Sequence, residues 1–478
     1  MAFRDYVLRG MREVYGNVRP GIVKLVEGVE EVLDGGLLIV RLPTGYGKST
    51  VTRFIAPAIK MAGSNYGISR VIHVLPLRSI IEDVYGKTVK DYNDYGDKLG
   101  VSRDDVAYQA SIMIDEGRKD ELFLSPLIYT TLDSYMLNFA KVTPYRTRYA
   151  SFEAARAAIY TTITFFDEAH LFAEVDEAKA YTSLVTAISS LLEAKLPVVV
   201  MTATVPDGLV ARLINDTNPL RCMVLTMDKA SKGPDNIMGC KNVVFFDSGY
   251  QAGWVDTEAV DVKGDGTDKV VDLANELVND GKKVLVVRNT VKLAVKTYMR
   301  LKEKLPRGVS VGLLHGRLTH GDRERVMDML EKGDLNVLSA TQVVEAGVDL
   351  DYDALITDAA PLAQLVQRVG RICRKRSKCS GKAYILNGDD EYYVKAVNGV
   401  YNINLVKETI KAVSGAGKVD WKVPDSTSDT SYFKLLNDVY SEYYSNLKID
   451  SDLRDALKAL DSIVTMHRSY AENVLDRL

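Results

Sequence analysis

The sequence predicts an α/β protein of two tandem lobes, each built on a mostly parallel sheet, followed by a helical C-terminal region. Three observations carry this. Short apolar runs of strand length alternate with amphipathic stretches of helix length, the pattern of buried parallel strands joined by crossover helices. The series occurs twice, on either side of a less regular stretch at about 205–280 that holds the turn clusters Lys232-Gly233-Pro234-Asp235 and Lys263-Gly264-Asp265-Gly266. A chain of 478 residues also exceeds what one core comfortably serves. We place the lobes at 1–230 and 231–392, and the helical region at 393–478.

Residues 1–35 read as two helices around an Arg19-Pro20-Gly21 break. The first lobe's strands are Gly36–Val40, Val71–Leu75, Leu127–Tyr129, Ile163–Phe166 and Val198–Met201. Those of the second are Lys283–Val287, Val309–Leu314, Asn336–Ser339, Ala354–Thr357 and Lys382–Leu386. Beyond 390 the pattern is helical, apart from a polar break near Asp425–Thr430. Tyrosines there (Tyr392, Tyr393, Tyr401, Tyr432, Tyr440, Tyr443, Tyr444) suit either packing or base stacking, with packing the commoner use.

The formal net charge of −3 leaves no global positive field, so any nucleic-acid contact must come from local basic groups and backbone amides. Cys222, Cys240, Cys373 and Cys379 form no CxxC pair, and with five scattered histidines they give no zinc signature; a reducing compartment is the expectation. The first residues carry charge and no apolar core of a secretory signal, and no apolar run is long enough to span a bilayer, so the expected location is cytoplasmic. Five glutamines beside abundant charge hint at a thermophile.

Chemistry starts at Leu42-Pro43-Thr44-Gly45-Tyr46-Gly47-Lys48-Ser49-Thr50, between a strand and a helix predicted from Val51 to Met61. This is a phosphate loop in which Leu42 takes the place of the first glycine of G-x-x-x-x-G-K-[ST]. Residues Thr44 to Thr50 are candidates to bind a nucleotide. Gly45 and Gly47 let backbone N–H groups approach phosphate, Lys48 reaches the β/γ-phosphates, and Ser49 is placed for Mg²⁺. Directly after a predicted strand stand Asp167-Glu168-Ala169-His170. Asp167 suits Mg²⁺, and Glu168 suits the orientation and deprotonation of an attacking water.

Phosphate loop plus Asp-Glu-Ala-His resembles the superfamily 2 DExH-box helicases, and further motifs follow in that family's order across roughly residues 19–375. They are Leu75-Pro76-Leu77-Arg78-Ser79, Thr130-Thr131-Leu132-Asp133-Ser134, Thr202-Ala203-Thr204, Val287–Val291, Leu314-His315-Gly316-Arg317, Ala340–Asp349 and Gln367–Arg374. The resemblance implies two RecA-like lobes using ATP and Mg²⁺. It implies catalytic roles for Lys48, Asp167, Glu168, His170, Gln367, Arg371 and Arg374, and nucleotide contacts from Gly347 and Asp349. It places Pro76, Arg78, Thr131, Asp133, Asn289, Thr290, His315, Arg317 and Thr341 along the nucleic acid. Ile22 departs from the pattern, standing where many relatives carry an adenine-reading glutamine.

The phrasing of the motifs is most similar to the interference helicase of type I CRISPR systems. No His-Asp dipeptide occurs, so the resemblance is to the stand-alone helicase subunit without the HD nuclease. It implies ATP-driven movement on single-stranded DNA, unwinding of target DNA opened by a guide-RNA surveillance complex (Cascade), and a separate HD nuclease subunit as partner. The alternative is another superfamily 2 helicase in DNA repair or RNA remodelling.

Overall fold

The computed structural model describes residues 2–140, 151–174, 178–231, 233, 235–250, 253–345, 348–374, 376 and 378–462. The chain divides into two compact units. The first comprises 1–227, 231–247 and 444–478; the second comprises 228–230 and 248–443.

Among the described residues the first unit holds nine strands: β1 (Gly36–Arg41), β2 (Arg70–Leu75), β3 (Val106–Gln109), β4 (Leu127–Thr131), β5 (Thr162–Asp167), β6 (Pro197–Thr202), β7 (Cys222–Met227), β8 (Asn236–Ile237) and β9 (Cys240–Phe245). Their order is β3-β4-β2-β5-β6-β1-β7-β9-β8, parallel except for β8 against β9. β1, β5 and β6 are buried along their whole length, as their largely apolar sequences require of strands covered on both faces. Because the strands are parallel, the residues after β1, β2, β4, β5 and β6 emerge at one edge, where α/β sheets bind ligands.

The second unit holds β10 (Trp254–Val262), β11 (Val284–Val287), β12 (Val311–Leu314), β13 (Val337–Ala340), β14 (Ala354–Thr357) and β15 (Ser380–Gly388), all parallel, in the order β10-β15-β14-β11-β13-β12.

Every strand read from sequence is present, but the stretch at 205–280 is more regular than expected: β7, β9 and β10 lie within it. The boundary moves accordingly. Residues 231–247 belong to the first sheet through β8 and β9, so the units part at Asp247/Ser248 and not at 230/231. The C-terminal region is not a body of its own. Residues 393–443 pack with the second unit, and the helix Ser451–Ser462 packs on the helix Lys179–Glu193 of the first. Tyr392, Tyr393, Tyr432, Tyr440 and Tyr444 are buried, which is the packing use of these rings.

The cysteine expectation also changes. Cys222 is bonded to Cys240 and Cys373 to Cys379. The first pair ties β7 to β9 across 18 residues of sequence, and the second closes a six-residue span. Intracellular proteins of hyperthermophiles also carry disulfides, so the pairing does not decide the compartment. Loop-closure entropy for the longer pair amounts to about 3 kcal/mol. Reducing it, or changing Cys222→Ser with Cys240→Ser, is expected to lower the thermal midpoint; an unmoved midpoint would show that the bond constrains nothing. Among the described residues no helix is long and apolar enough to cross a membrane.

Candidate nucleotide-binding and motor site

The phosphate loop leaves β1 at Arg41 and ends in a short turn, Lys48–Thr50, ahead of the helix Thr52–Ala62. Gly45 (φ 76°) and Gly47 (φ 105°) both adopt left-handed backbone, which explains glycine at those two positions. Leu42 is fully buried, an apolar anchor in the place of a glycine. Buried Lys48 donates from Nζ to the carbonyls of Leu42 (2.8 Å) and Pro43 (3.3 Å), which holds the ammonium inside the loop's own curve. Among the described residues, the N–H groups of Gly45, Gly47 and Ser49 meet no protein acceptor. Unpaired amides beside a lysine form an anion cradle.

β5 delivers the acidic pair to the same edge. Asp167 Oδ2 accepts a 2.5 Å hydrogen bond from Ser49 Oγ and lies 3.3 Å from His73 Nε2; its Oδ1 accepts from the Glu168 N–H at 3.0 Å. Burial pushes the Asp167 carboxyl up. The His73 and Ser49 hydrogen bonds and the Lys48 charge outweigh it and hold the group below the ordinary carboxylate range. Glu168 has φ 48°, a strained conformation for a residue with a Cβ, and such strain clusters at functional sites. His170 is fully buried. Burial, and then the Lys48 charge, bring its pKa down to about 3, so the ring is neutral. Its Nδ1 lies 2.8 Å from Thr202 Oγ1 at the end of β6, and that hydroxyl also accepts from the Thr204 N–H at 3.3 Å. Glu168 Oε2, 3.5 Å from the same nitrogen, therefore faces a neutral ring and not an ion partner.

In the second unit the helix Leu362–Val369 carries Gln367 and Arg368, both buried, and Arg371 follows in the next turn. The Arg371 guanidinium donates to the carbonyls of Val348 (3.0 Å) and Glu345. Arg374 donates to Asp349 Oδ1 at 3.3 Å, and its N–H to Asp351 Oδ1 at 2.8 Å. Gly347 lies outside the described residues.

Two family models match parts of the chain. Residues 26–212 match the DEAD/DEAH box helicase family model, and residues 280–377 match that of the CRISPR-associated nuclease/helicase Cas3 C-terminal region. Taken together, the two matched stretches make the chain similar to the Cas3-like helicases. A CRISPR-associated helicase Cas3 from Thermoproteus tenax is 24% identical over 427 residues, covering 86% of this chain and 65% of that one. A Cas3 relative from Methanocaldococcus jannaschii is 24% identical over 413 residues, covering 82% of this chain and 50% of the relative. The crystal structure of T. fusca Cas3 superposes with TM-score 0.67 at 17% identity, over 98% of this chain and 56% of that one. The chain thus spans about half to two-thirds of the length of these relatives.

Most of the residues expected along the nucleic acid lie at or just after strand ends. Pro76 and Arg78 follow β2, Thr131 ends β4, Asn289 and Thr290 follow β11, His315 and Arg317 follow β12, and Thr341 follows β13. Arg78, Asp133 and Arg317 are exposed. Thr131 and Thr290 cap helices, accepting from the N–H groups of Ser134 (3.3 Å) and Leu293 (3.2 Å). His315 and Thr341 are buried, and His315 Nδ1 accepts from the Arg317 N–H at 3.1 Å. The Asn289 side chain corrects the sequence reading. It is buried, donates to the Ala359 carbonyl (2.8 Å) and accepts from Arg368 (2.9 Å), so it braces its own lobe instead of facing a strand.

Two contributors, His73 and Arg41, were missed by sequence reasoning. His73, mid-strand in β2, bonds Thr52 Oγ1 (2.9 Å) as well as lying beside Asp167; a histidine inside a fully apolar strand was the available signal. Arg41 ends β1 and pairs with Asp207 at 2.7 Å. Tyr46 lies in the phosphate loop itself. Its hydroxyl donates to Asp247 Oδ2 (2.6 Å) and accepts from the Gly21 N–H (3.1 Å), while Arg19 lies over its ring and bonds the Gly45 carbonyl (3.2 Å). The N-terminal Arg-Pro-Gly element and the end of the β9 segment thereby hold the phosphate loop. Tyr46→Phe removes one donor and one acceptor from a buried site, so thermal or denaturant unfolding is expected to show a loss of about 1–3 kcal/mol. An unchanged midpoint would mean the loop keeps its shape without this anchor.

Proposed function

We propose that the chain is an ATP-dependent, nucleic-acid-stimulated motor that moves on single-stranded DNA and unwinds target DNA in CRISPR interference. The observation that carries this is the meeting of phosphate loop and acidic strand end: Ser49 Oγ and Asp167 Oδ2 stand 2.5 Å apart, beside Lys48 and Glu168. Two oxygen ligands at one point fit a hard divalent cation, so Ser49 and Asp167 would hold Mg²⁺, which supplies charge neutralisation on the phosphates. Lys48, with the amides of residues 44–50, would bind the β/γ-phosphates of ATP, and Glu168 would orient and deprotonate the attacking water.

His170 is neutral and bonded to Thr202, so a change at the acidic motif is passed to the Thr202-Ala203-Thr204 segment through one hydrogen bond. Gln367, Arg371 and Arg374, with Asp349 and Gly347, would supply the second lobe's share, the arginines meeting charge on the transferred phosphoryl group. Pro76, Arg78, Thr131, Asp133, Thr290, His315, Arg317 and Thr341 would line the strand's path, largely through backbone N–H groups and therefore without sequence preference.

The named partners are single-stranded DNA, a guide-RNA surveillance complex and an HD nuclease on a separate polypeptide. A structurally similar chain, 17% identical with TM-score 0.59, comes from a "CRISPR RNA-guided surveillance complex, pre-nicking". The test is the ATP hydrolysis rate with single-stranded DNA, duplex DNA and RNA side by side. Stimulation greatest with single-stranded DNA is expected. Equal rates with and without it would overturn the motor reading, and stronger stimulation by RNA would overturn the DNA assignment.

A further inference from the structure

Lys422 sits in the segment after residue 390 that the motif set leaves without a task. The segment is firmly held. Val419 and Trp421 are buried, and Trp421 Nε1 donates to Thr257 Oγ1 at 2.6 Å. Asp420 exchanges backbone bonds with Thr430 and Tyr432, and its Oδ1 accepts from the N–H groups of Lys422 (3.1 Å) and Val423 (3.2 Å). This turn points the Lys422 ammonium inward, where Nζ donates to the carbonyls of Val369 (2.8 Å) and Ile372 (2.9 Å). Val369 is the last residue of the helix carrying Gln367 and Arg368, a position whose carbonyls favour a cation. Ile372 follows Arg371 directly. The opposite side of the same turn is pinned by Tyr352, whose N–H donates to the Arg371 carbonyl (3.1 Å) and whose carbonyl accepts from the Cys373 N–H (2.9 Å).

We propose that Lys422 is a positioning residue for ATP hydrolysis, its ammonium clamping the turn that presents Arg371 through the carbonyls on either side of that arginine. The inference rests on the reading of Arg371 as the group that meets the transferred phosphoryl. A clamp built from a charge is an expensive way to hold a turn. Burial comes first in lowering the Lys422 pKa, followed by the Arg374 and Arg371 charges, while Asp351 and Asp420 oppose them, and the result is about 7. An unfolded lysine keeps its proton to about pH 10.4. The penalty on folding is therefore fully present below about pH 7 and fades as pH rises toward the unfolded value. Replacing a buried charge with an apolar side chain of similar volume is often neutral or stabilising. A residue kept only for stability would be better as methionine.

The test compares Lys422→Met, Lys422→Arg and Arg371→Ala with the wild-type chain, reading kcat and KM for ATP with saturating single-stranded DNA, and the thermal midpoint. Misplacement of a reacting group by about 1 Å reduces rate by roughly a hundredfold. K422M is expected to lose roughly tenfold to a hundredfold in kcat, with KM within about threefold and the midpoint unchanged or raised. K422R is expected to keep most of the rate. A K422M kcat within about twofold of wild type, beside an inactive R371A, overturns the clamp and leaves the arginine reading standing. An R371A protein with wild-type kcat overturns the arginine reading and the clamp with it. A K422M loss that only tracks a smaller folded fraction also overturns the clamp. The wild-type pH profile needs no variant. Charge-assisted bonds weaken when the ammonium gives up its proton, so kcat is expected to decline as pH rises through about 7, and the decline to vanish in K422R. A flat wild-type profile over that range overturns the proposal.

Discussion

Glu168→Gln is expected to reduce DNA-stimulated ATP hydrolysis by on the order of 10²–10⁴ while leaving nucleotide binding nearly intact. The side chain volume is unchanged and two of the local bonds do not depend on the carboxylate: the Glu168 N–H still donates to Asp167 Oδ1, and His170 still meets Thr202. What is lost is a group able to take a proton from water. The surroundings support a base there. Asp167 is held ionised by His73, Lys48 and Ser49 and is engaged with Ser49, so it is not free to serve. His170 is neutral, but its Nδ1 is committed to Thr202. Glu168 is half-buried at the same edge, held at a left-handed φ of 48° that glycine would tolerate better. Measuring kcat by phosphate release and nucleotide affinity by equilibrium binding separates the two effects. A variant with wild-type kcat would reduce Glu168 to a turn residue.

The motif positions were legible from sequence because most of the motifs are short segments at the end of a parallel strand, and both the apolar run and the punctuation after it are local. That is why β1 ahead of Lys48 and Ser49, and β5 ahead of Glu168, stand where the sequence put strands. One of the missed strands, β10, failed the same local test. β10 carries Asp256, Glu258 and Asp261, and as an edge strand it buries only part of its side chains, so it shows no continuous apolar run. The division between units was displaced because β9 joins the first sheet after a turn-rich interruption that resembles a linker. Longer-range supports could not be read at all. Tyr46 finds Asp247 201 residues away, and Lys422 finds Val369 53 residues away. Only the folded chain brings them together. The cysteines illustrate the same limit, since spacings of 18 and 6 residues fit no short motif, yet strand pairing and a tight turn bring each pair into bonding range.

Asn289 shows how a motif can contain framework as well as contacts, and the same network yields a large stability prediction. Arg288, Asp358 and Arg368 are entirely buried. Asp358 accepts from Arg288 Nε at 3.1 and 3.0 Å, from the Asn289 N–H at 2.9 Å and from the Tyr392 hydroxyl at 3.3 Å. Arg288 also donates to Thr297 (2.7 Å) and the Asp265 carbonyl (2.6 Å). Arg368 spends its donors on Glu345 (2.7 Å), Thr357 (2.7 Å), Asn289 and Tyr401 (3.0 Å). Three sequence motifs of the second lobe are thus cross-linked in its interior. Asp358→Ala leaves the Arg288 guanidinium buried without its counter-charge, and is expected to destabilise by about 3–5 kcal/mol. Asp358→Asn keeps the shape and part of the bonding and is expected to fall between that variant and the wild type. Denaturant unfolding followed by a probe within residues 248–443 reads the effect. A loss below about 1 kcal/mol for the alanine variant would show that water or rearrangement satisfies Arg288, and that the network is not what fixes the motifs. The prediction also separates frame from contact. Removing the Arg317 side chain, which is exposed, should reduce the salt dependence of DNA binding with little change in stability, whereas D358A should do the reverse.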